Sequence, residues 1–300
     1  MTLPLTAVGI PTIRNNDLLF KCLKSCLAQD ANLEIFVMTE EDAPKDFHDK
    51  RVQFVNCGPL NMSQKRNLVA KMSQAEYISF IDSDAYPAKD WIANAMKEFV
   101  DPAIGMVGGP ELSPEDEPLS ERYVGLASRS AIITGAHAFR KQISPRRFFS
   151  EMSACNLMMK RAEYLEVGGM DEKLYIGEDN DLGRRVGLWG KKLLFSPEVV
   201  VFHKNRSFVP FLIQRYARGM AVAAIIKTFV KNSIKDRKLG KNIRIELFIA
   251  PGFIFFIFTA LAIPFVPFWN YVYAATWALY LTVIGLETFK NSEKTSDYLG

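Results

Sequence analysis

Two acidic side chains stand one residue apart in FIDSDAYP, residues 80–87. Asp82 and Asp84 end the apolar run YISFID (77–82), where a buried strand would stop. Asp and Ser terminate strands well, and Pro87 helps, so the pair can be a plain turn. It can also be a cation site, because hard divalent ions take carboxylate and phosphate oxygens together. A second acidic group opens YIGEDNDLGRRVGLWG (175–190) with Glu178, Asp179 and Asp181. Acids in a first helical turn favour the positive end of the helix dipole, and Asp181 is the residue assigned to that capping role. Capping does not require the pair Glu178–Asp179, whereas a general base needs a carboxylate at a ligand-facing helix start. The third group is KKLLFSPEVVVFHKN (191–205), read as a strand pair ending in His203. A histidine there can be structural, or it can offer a neutral imidazole to a Mn-like metal.

These side chains need a scaffold, and the sequence before them alternates short apolar runs with helical stretches. LTAVGI (5–10), LEIFVM (33–38) and YISFID read as strands. NDLLFKCLKSCLAQ (16–29), capped by Asn or Asp, and MSQKRNLVAKMSQ (62–74) read as helices. That alternation predicts an α/β fold with a mainly parallel open sheet flanked by helices. In such sheets ligands gather at the carboxyl ends of strands, which is where Asp82 and Asp84 fall. Beyond Trp91 the pattern loosens: GPELSPEDEPLSE (109–121) and GAHAFRKQISPRRFF (135–149) read as surface loops.

The chain has 300 residues, enough for a sizeable core, and a net charge of +4. The charge is unevenly placed. Residues 204–244 hold eleven Lys or Arg against one acid, Asp236, which leaves the remainder acidic. Residues 247–286 contain no Asp, Glu, Lys or Arg. Forty such residues around PFVPFWN (264–270) predict a transmembrane helical hairpin, flanked outside by Arg244, Lys290 and Lys294, with both ends cytoplasmic. The basic stretch then predicts membrane lipid, and no nucleic acid, as its partner. MTLPLTAVGIPTI lacks the basic start of a signal peptide, and the four cysteines suit reduced thiols. The expected organisation is a catalytic domain at 1–205, interfacial helices at 206–245, the hairpin at 246–289 and a tail at 290–300.

The ordered set GIPTIRN, SQKRNLVAK, FIDSDAYP, CNLMMKRAEYLEVGGMDEKLYIGEDNDLGRRV and FSPEVVVFH resembles family-2 glycosyltransferases with the GT-A fold, over residues 3–220. An isolated DxD is weak; DxD followed by GGxDE, GED and a downstream VxxH is specific. The resemblance implies a nucleotide-sugar donor and a divalent metal, Mn²⁺ or Mg²⁺. Asp82-Ser83-Asp84 matches the DxD, with Asp82 at ribose or metal, Asp84 on the metal, and His203 at a position that supplies a further ligand. Asp179 matches the general base, and Glu178 the residue beside it that orients acceptor or loop. Pro11, Thr12 and Arg14 match the segment beside the nucleotide base, and Arg66 a nucleotide-contacting arginine. One departure falls at VMTEED (37–42), where Thr39 and Glu40 stand for the family's acid pair. UDP is the leading base, with GDP behind it and Glu40 the substitute ligand.

The function so implied is an inverting hexosyl-type transferase acting at the cell membrane from the cytoplasmic side. Its acceptor is a hydroxyl of a lipid-linked or cell-surface glycan; a polyprenyl-phosphate sugar transferase is the variant. The processive synthases' QxxRW is missing, since the region reads QRYARG (214–219). A metal-dependent nucleotidyltransferase is the alternative from another class, and would lack the GED and GGMDE segments.

Overall fold

A computed structural model describes residues 4–216 and 268–296 of the chain. The chain divides into two compact units, one of residues 1–122 and 139–205, the other of 123–138 and 206–300. In chain order the strands of the first unit are β1 (Thr6–Pro11), β2 (Leu33–Thr39), β3 (Val52–Asn56), β4 (Tyr77–Phe80), β5 (Ala85–Pro87) and β6 (Ile104–Gly108). They continue as β7 (Glu111–Leu112), β8 (Arg147–Phe149), β9 (Leu157–Lys160), β10 (Lys192–Phe195) and β11 (Val201–His203). The helices are α1 (Asp17–Leu27), α2 (Met62–Met72), α3 (Trp91–Glu98), α4 (Leu119–Ser128, which crosses into the second unit), α5 (Ala131–Thr134, in the second), α6 (Arg161–Glu166) and α7 (Glu178–Leu188).

Eight strands form one sheet in the order β3-β2-β1-β4-β9-β6-β10-β8. The half built from β3, β2, β1 and β4 is parallel, as the strand–helix alternation requires. β9 then runs antiparallel between β4 and β6. Successive side chains of a strand point to opposite faces, and here both faces are buried. Val8 and Ile10 join Leu19, Cys22 and Leu23 of α1 in one apolar cluster, while Ala7 joins Phe36, Val69 and Ala70 in the other. Helix α1 begins where the sequence places a cap, with Asn16 Oδ1 accepting from Leu19 N at 3.1 Å.

A second sheet, β5-β11-β7, holds three short strands. Here the expected strand pair at 191–205 is corrected: β10 lies in the large sheet and β11 in the small one, so the two do not pair. Ser196, Pro197 and Glu198 turn the chain between sheets, and Asn156 ties them. Its amide donates to Pro110 O (3.2 Å) and Val199 O (2.7 Å), and its Oδ1 accepts from Trp91 Nε1 at 2.8 Å. These groups are buried, so each would be costly to leave unpaired.

In the second unit, residues 208–216 are helical and expose Phe208, Val209, Leu212, Ile213 and Tyr216. Residues 217–267, which include the rest of the expected interfacial helices and the first arm of the expected hairpin, lie outside the described residues. The second arm falls on the helix Trp269–Ser296. No helix among the described residues is long and apolar enough to cross a membrane, so the hairpin expectation finds no support in that arm. The reason is composition: Asn270, Tyr271, Tyr273, Thr276, Tyr280 and Thr282 carry no formal charge, yet their polar groups dilute the apolar run. Absence of charge is a weaker condition than hydrophobicity.

Candidate active site

Asp82, Ser83 and Asp84 form the turn between β4 and β5, closed by Ala85 N donating to Asp82 O at 3.0 Å. The turn reading and the functional reading of FIDSDAYP are therefore compatible. β11 pairs antiparallel with β5 so that His203 stands opposite Ala85. One step beyond, Lys204 N donates to Asp84 O at 3.0 Å. This register brings His203 Nε2 to 3.4 Å from Asp84 Oδ1 and 4.0 Å from Asp82 Oδ2.

Helix α2 organises the opposite side of the turn through three consecutive buried residues, Lys65, Arg66 and Asn67. Each is rotated about 100° from the last, so the three reach different elements. Lys65 Nζ donates to Thr12 O (2.7 Å) at the end of β1 and to Glu40 Oε1 (2.9 Å) beyond β2. Arg66 bridges two acids: Nη2 donates to Asp82 Oδ1 at 2.8 Å and Nη1 to Glu178 Oε1 at 3.1 Å. Asn67 holds the GGMDE loop, its Oδ1 accepting from Tyr164 OH (2.6 Å) and Met170 N (2.9 Å) and its amide donating to Met170 O (2.8 Å). The glycines of that loop are explained at Gly169, whose φ is +66° and whose added Cβ would lie 2.6 Å from Asn67 Oδ1.

That loop delivers α7. Gly177 sits at the helix start with φ 85°, a left-handed turn that lets Glu178 begin the helix without a side-chain cap. Asp179 Oδ1 accepts from Asn180 N at 2.8 Å and its Oδ2 from Ala154 N at 3.4 Å. The capping role expected of Asp181 is corrected: it pairs with Arg184 (3.0 Å) and Arg185 (2.8 Å) on its own helix. Arg185 spends its other nitrogens on Val167 O and Gly169 O, so Asp181 serves the loop rather than the helix start. Leu182 and Val186 are buried as their spacing predicts, whereas Trp189 is the C-cap and lies partly exposed under Lys191.

The remaining candidates lie along the same rim. Pro11 and Thr12 are buried at the end of β1, with Thr12 Oγ1 donating to Arg14 O at 2.9 Å; the Arg14 side chain is exposed. Thr39 is fully buried, so Glu40 is the first side chain after β2 with access to a ligand. A cavity of about 350 Å³ between Asn61–Gln64 and Leu174–Tyr175 adjoins Glu178. The larger one, about 620 Å³, lies behind the GGMDE loop, lined by Lys71, Asp171 and Arg184.

Charge is crowded here. Burial raises the Asp82 carboxyl above its ordinary range; Arg66 opposes this and Asp84 adds to it. Burial and then Asp179 likewise raise Glu178, against Arg66. Burial pulls His203 down, but the hydrogen bond and charge of Asp84 outweigh it and hold the imidazole above its ordinary value. Carboxylates outnumber cations, which is the electrostatic demand of a divalent ion. The donor set fits one: Arg66 occupies Asp82 Oδ1, while Asp82 Oδ2, Asp84 Oδ1 and His203 Nε2 stay grouped as oxygen and imidazole donors.

Sequence reasoning overlooked Lys65, whose burial is set by two strand ends meeting α2. It also overlooked Asn156 and Glu111. Glu111 is buried beside Lys141 Nζ at 2.8 Å, and although burial would raise its carboxyl, Lys141, Arg140 and His203 draw it far below the ordinary range.

A large mixed α/β sheet with acids at the β4 end and at a helix start defines the class as GT-A-type. A mannosyltransferase from Pyrobaculum calidifontis, solved with GDP-Man and Mn²⁺, shares the fold with a TM-score of 0.61 at 18% identity, over 98% of this chain and 87% of that one. GalNAc-T7, solved with UDP, GalNAc and Mn²⁺, gives 0.51 at 17% identity over 68% and 44%. The profile described as "Glycosyltransferase like family 2" matches residues 45–226, and the chain belongs to that family. Pre-mycofactocin glycosyltransferases of two Mycobacterium tuberculosis strains are 28% identical over 153 residues, 51% of this chain. The match spans about a third (32%) of those relatives.

Proposed function

We propose that the protein is a metal-dependent, inverting glycosyltransferase that uses a nucleotide-diphosphate sugar, with UDP-sugars favoured. The observation that carries this reading is the meeting of Asp82, Asp84 and His203 with Glu178 through Arg66. Asp82, Asp84 and His203 would hold Mn²⁺ or Mg²⁺, which supplies Lewis-acid neutralisation of the departing diphosphate. Asp179 takes the proton of an acceptor hydroxyl as that oxygen attacks the anomeric carbon, and the bond from that carbon to the diphosphate breaks. Glu178, kept in place by Arg66, positions the helix start that carries the base. Thr12, Arg14 and Glu40 line the end of the sheet where the nucleoside would lie, with Glu40 offering the base or ribose an acceptor oxygen.

The acceptor in this reading is a hydroxyl of a lipid-linked or cell-surface glycan, met at the cytoplasmic face of the cell membrane. Support comes from Phe208, Val209, Leu212, Ile213 and Tyr216, exposed on one helical stretch that follows Arg206 and contains Arg215. The deciding experiment incubates the purified chain with a panel of nucleotide sugars and Mn²⁺. Release of nucleoside diphosphate that disappears in Asp84→Asn supports glycosyl transfer. Pyrophosphate exchange instead would assign a nucleotidyltransferase and remove the reading. Flotation with anionic vesicles tests the membrane part, and a chain that stays with the soluble fraction at low salt would refute it.

A further inference from the structure

Cys155 lies in the turn that leads into β9, fixed in the backbone by the three hydrogen bonds of its neighbour Asn156. Its Sγ, one carboxylate oxygen of Asp82 and one ring nitrogen of His203 lie within 4.8 Å of one another. The thiol is 4% exposed and makes no hydrogen bond among the described residues. Burial alone would make Cys155 an inert core thiol. What separates it from Cys26, equally buried, is a carboxylate and an imidazole sharing its pocket.

We propose that Cys155, Asp82 and His203 form a mixed sulfur, oxygen and nitrogen site for a thiophilic divalent cation of the Zn²⁺ class. The inference rests on the reading of Asp82 and His203 as cation-facing and adds a sulfur to it. Ligands held about 2.0–2.3 Å from one tetrahedral ion lie about 3.3–3.8 Å apart, so closure by about an ångström completes the site. Thiolate selects Zn²⁺ over Mn²⁺ and Mg²⁺, whose preference is for oxygen. As the sulfur–metal bond forms, the S–H bond gives its proton to solvent, and no electrons change hands. Because Asp82 and His203 serve both ions, Zn²⁺ and Mn²⁺ exclude one another, and Zn²⁺ acts as an inhibitor.

The test titrates the full chain with Co²⁺, which reports a thiolate ligand by a near-ultraviolet charge-transfer band. The expected result is a band in the wild type, lost in Cys155→Ser, weakened in His203→Ala and kept in Cys57→Ser. Zn²⁺ should bind Cys155→Ser roughly tenfold or more weakly, with Mn²⁺ affinity moved by less than about twofold. Failure of Co²⁺ to bind, binding without the band, or a band that survives Cys155→Ser overturns the proposal. The wild-type spectrum alone can do so, should Cys155→Ser lose its fold. Mn²⁺ binding with a nucleoside diphosphate, followed by paramagnetic resonance, separates the two readings: retained Mn²⁺ without a thiolate band removes only the sulfur.

Discussion

Arg66 holds Asp82 by a 2.8 Å bond from α2, and its side chain is almost wholly buried while that of Asp82 is about one-third exposed (34%). The same guanidinium reaches Glu178, so two parts of the site distant in sequence share one cation. In this arrangement both terminal nitrogens of Arg66 are engaged by carboxylates. Arg66→Met should cost about 2 kcal/mol of stability, less than for a fully buried pair because Asp82 retains some solvent. Thermal unfolding measures the loss. Arg66→Lys, which keeps one of two contacts, should recover part of the stability and little of the turnover.

Asp179→Asn removes the proposed proton acceptor while keeping its size and its bond from Asn180 N. Turnover should fall by about two to four orders of magnitude, with donor binding within about twofold of wild type. Single-turnover rates beside donor calorimetry check this; an equal loss in both would relocate Asp179 to the donor site.

Glu111 has a carboxyl held well below its ordinary value of 4.5, so it favours the folded state wherever it is ionised. That contribution is fully present above the ordinary value and is lost as pH falls through the lower folded one. Urea unfolding of wild type and Glu111→Gln should therefore show a gap that is constant above about pH 5.5 and closes in strong acid. A gap that widens on acidification would contradict the Lys141 pairing.

Asn156→Ala strands Trp91 Nε1 and the carbonyls of Pro110 and Val199 in the buried interior. A loss of about 3 kcal/mol is expected by denaturant unfolding, together with reduced cation affinity, because β11 would no longer be fixed against the large sheet. Unchanged cation binding would show that β11 is held by its β5 pairing alone.

Much of this architecture was legible from the chain. The parallel half of the sheet follows from alternation of apolar runs and helices, and the Asn16 cap from its residue type. What local pattern could not express is partnership. KKLLFSPEVVVFHKN reads as two strands, yet nothing in it says that they belong to different sheets; Asn156 decides that from a distance. Asp181 satisfies the rule for a helix start, but Arg184 and Arg185 compete for it one turn later. Within the uncharged run 247–286, the described arm from Trp269 carries tyrosines and threonines that are silent in a count of charges. The site acids themselves were visible in order and spacing, whereas Lys65, Asn156 and Cys155 matter only through what folds against them.

The β5–β11 pairing places His203 opposite Ala85, and that register carries a temporal consequence. A nascent chain can assemble β1 to β4 and expose the DxD turn while the ribosome is still far from the end of this unit. The imidazole and the strand that steadies the turn arrive only with residues 201–203. Until then, Asp82 and Asp84 lack the third member of their cluster, so the carboxylate–imidazole group is complete only once the first unit has emerged.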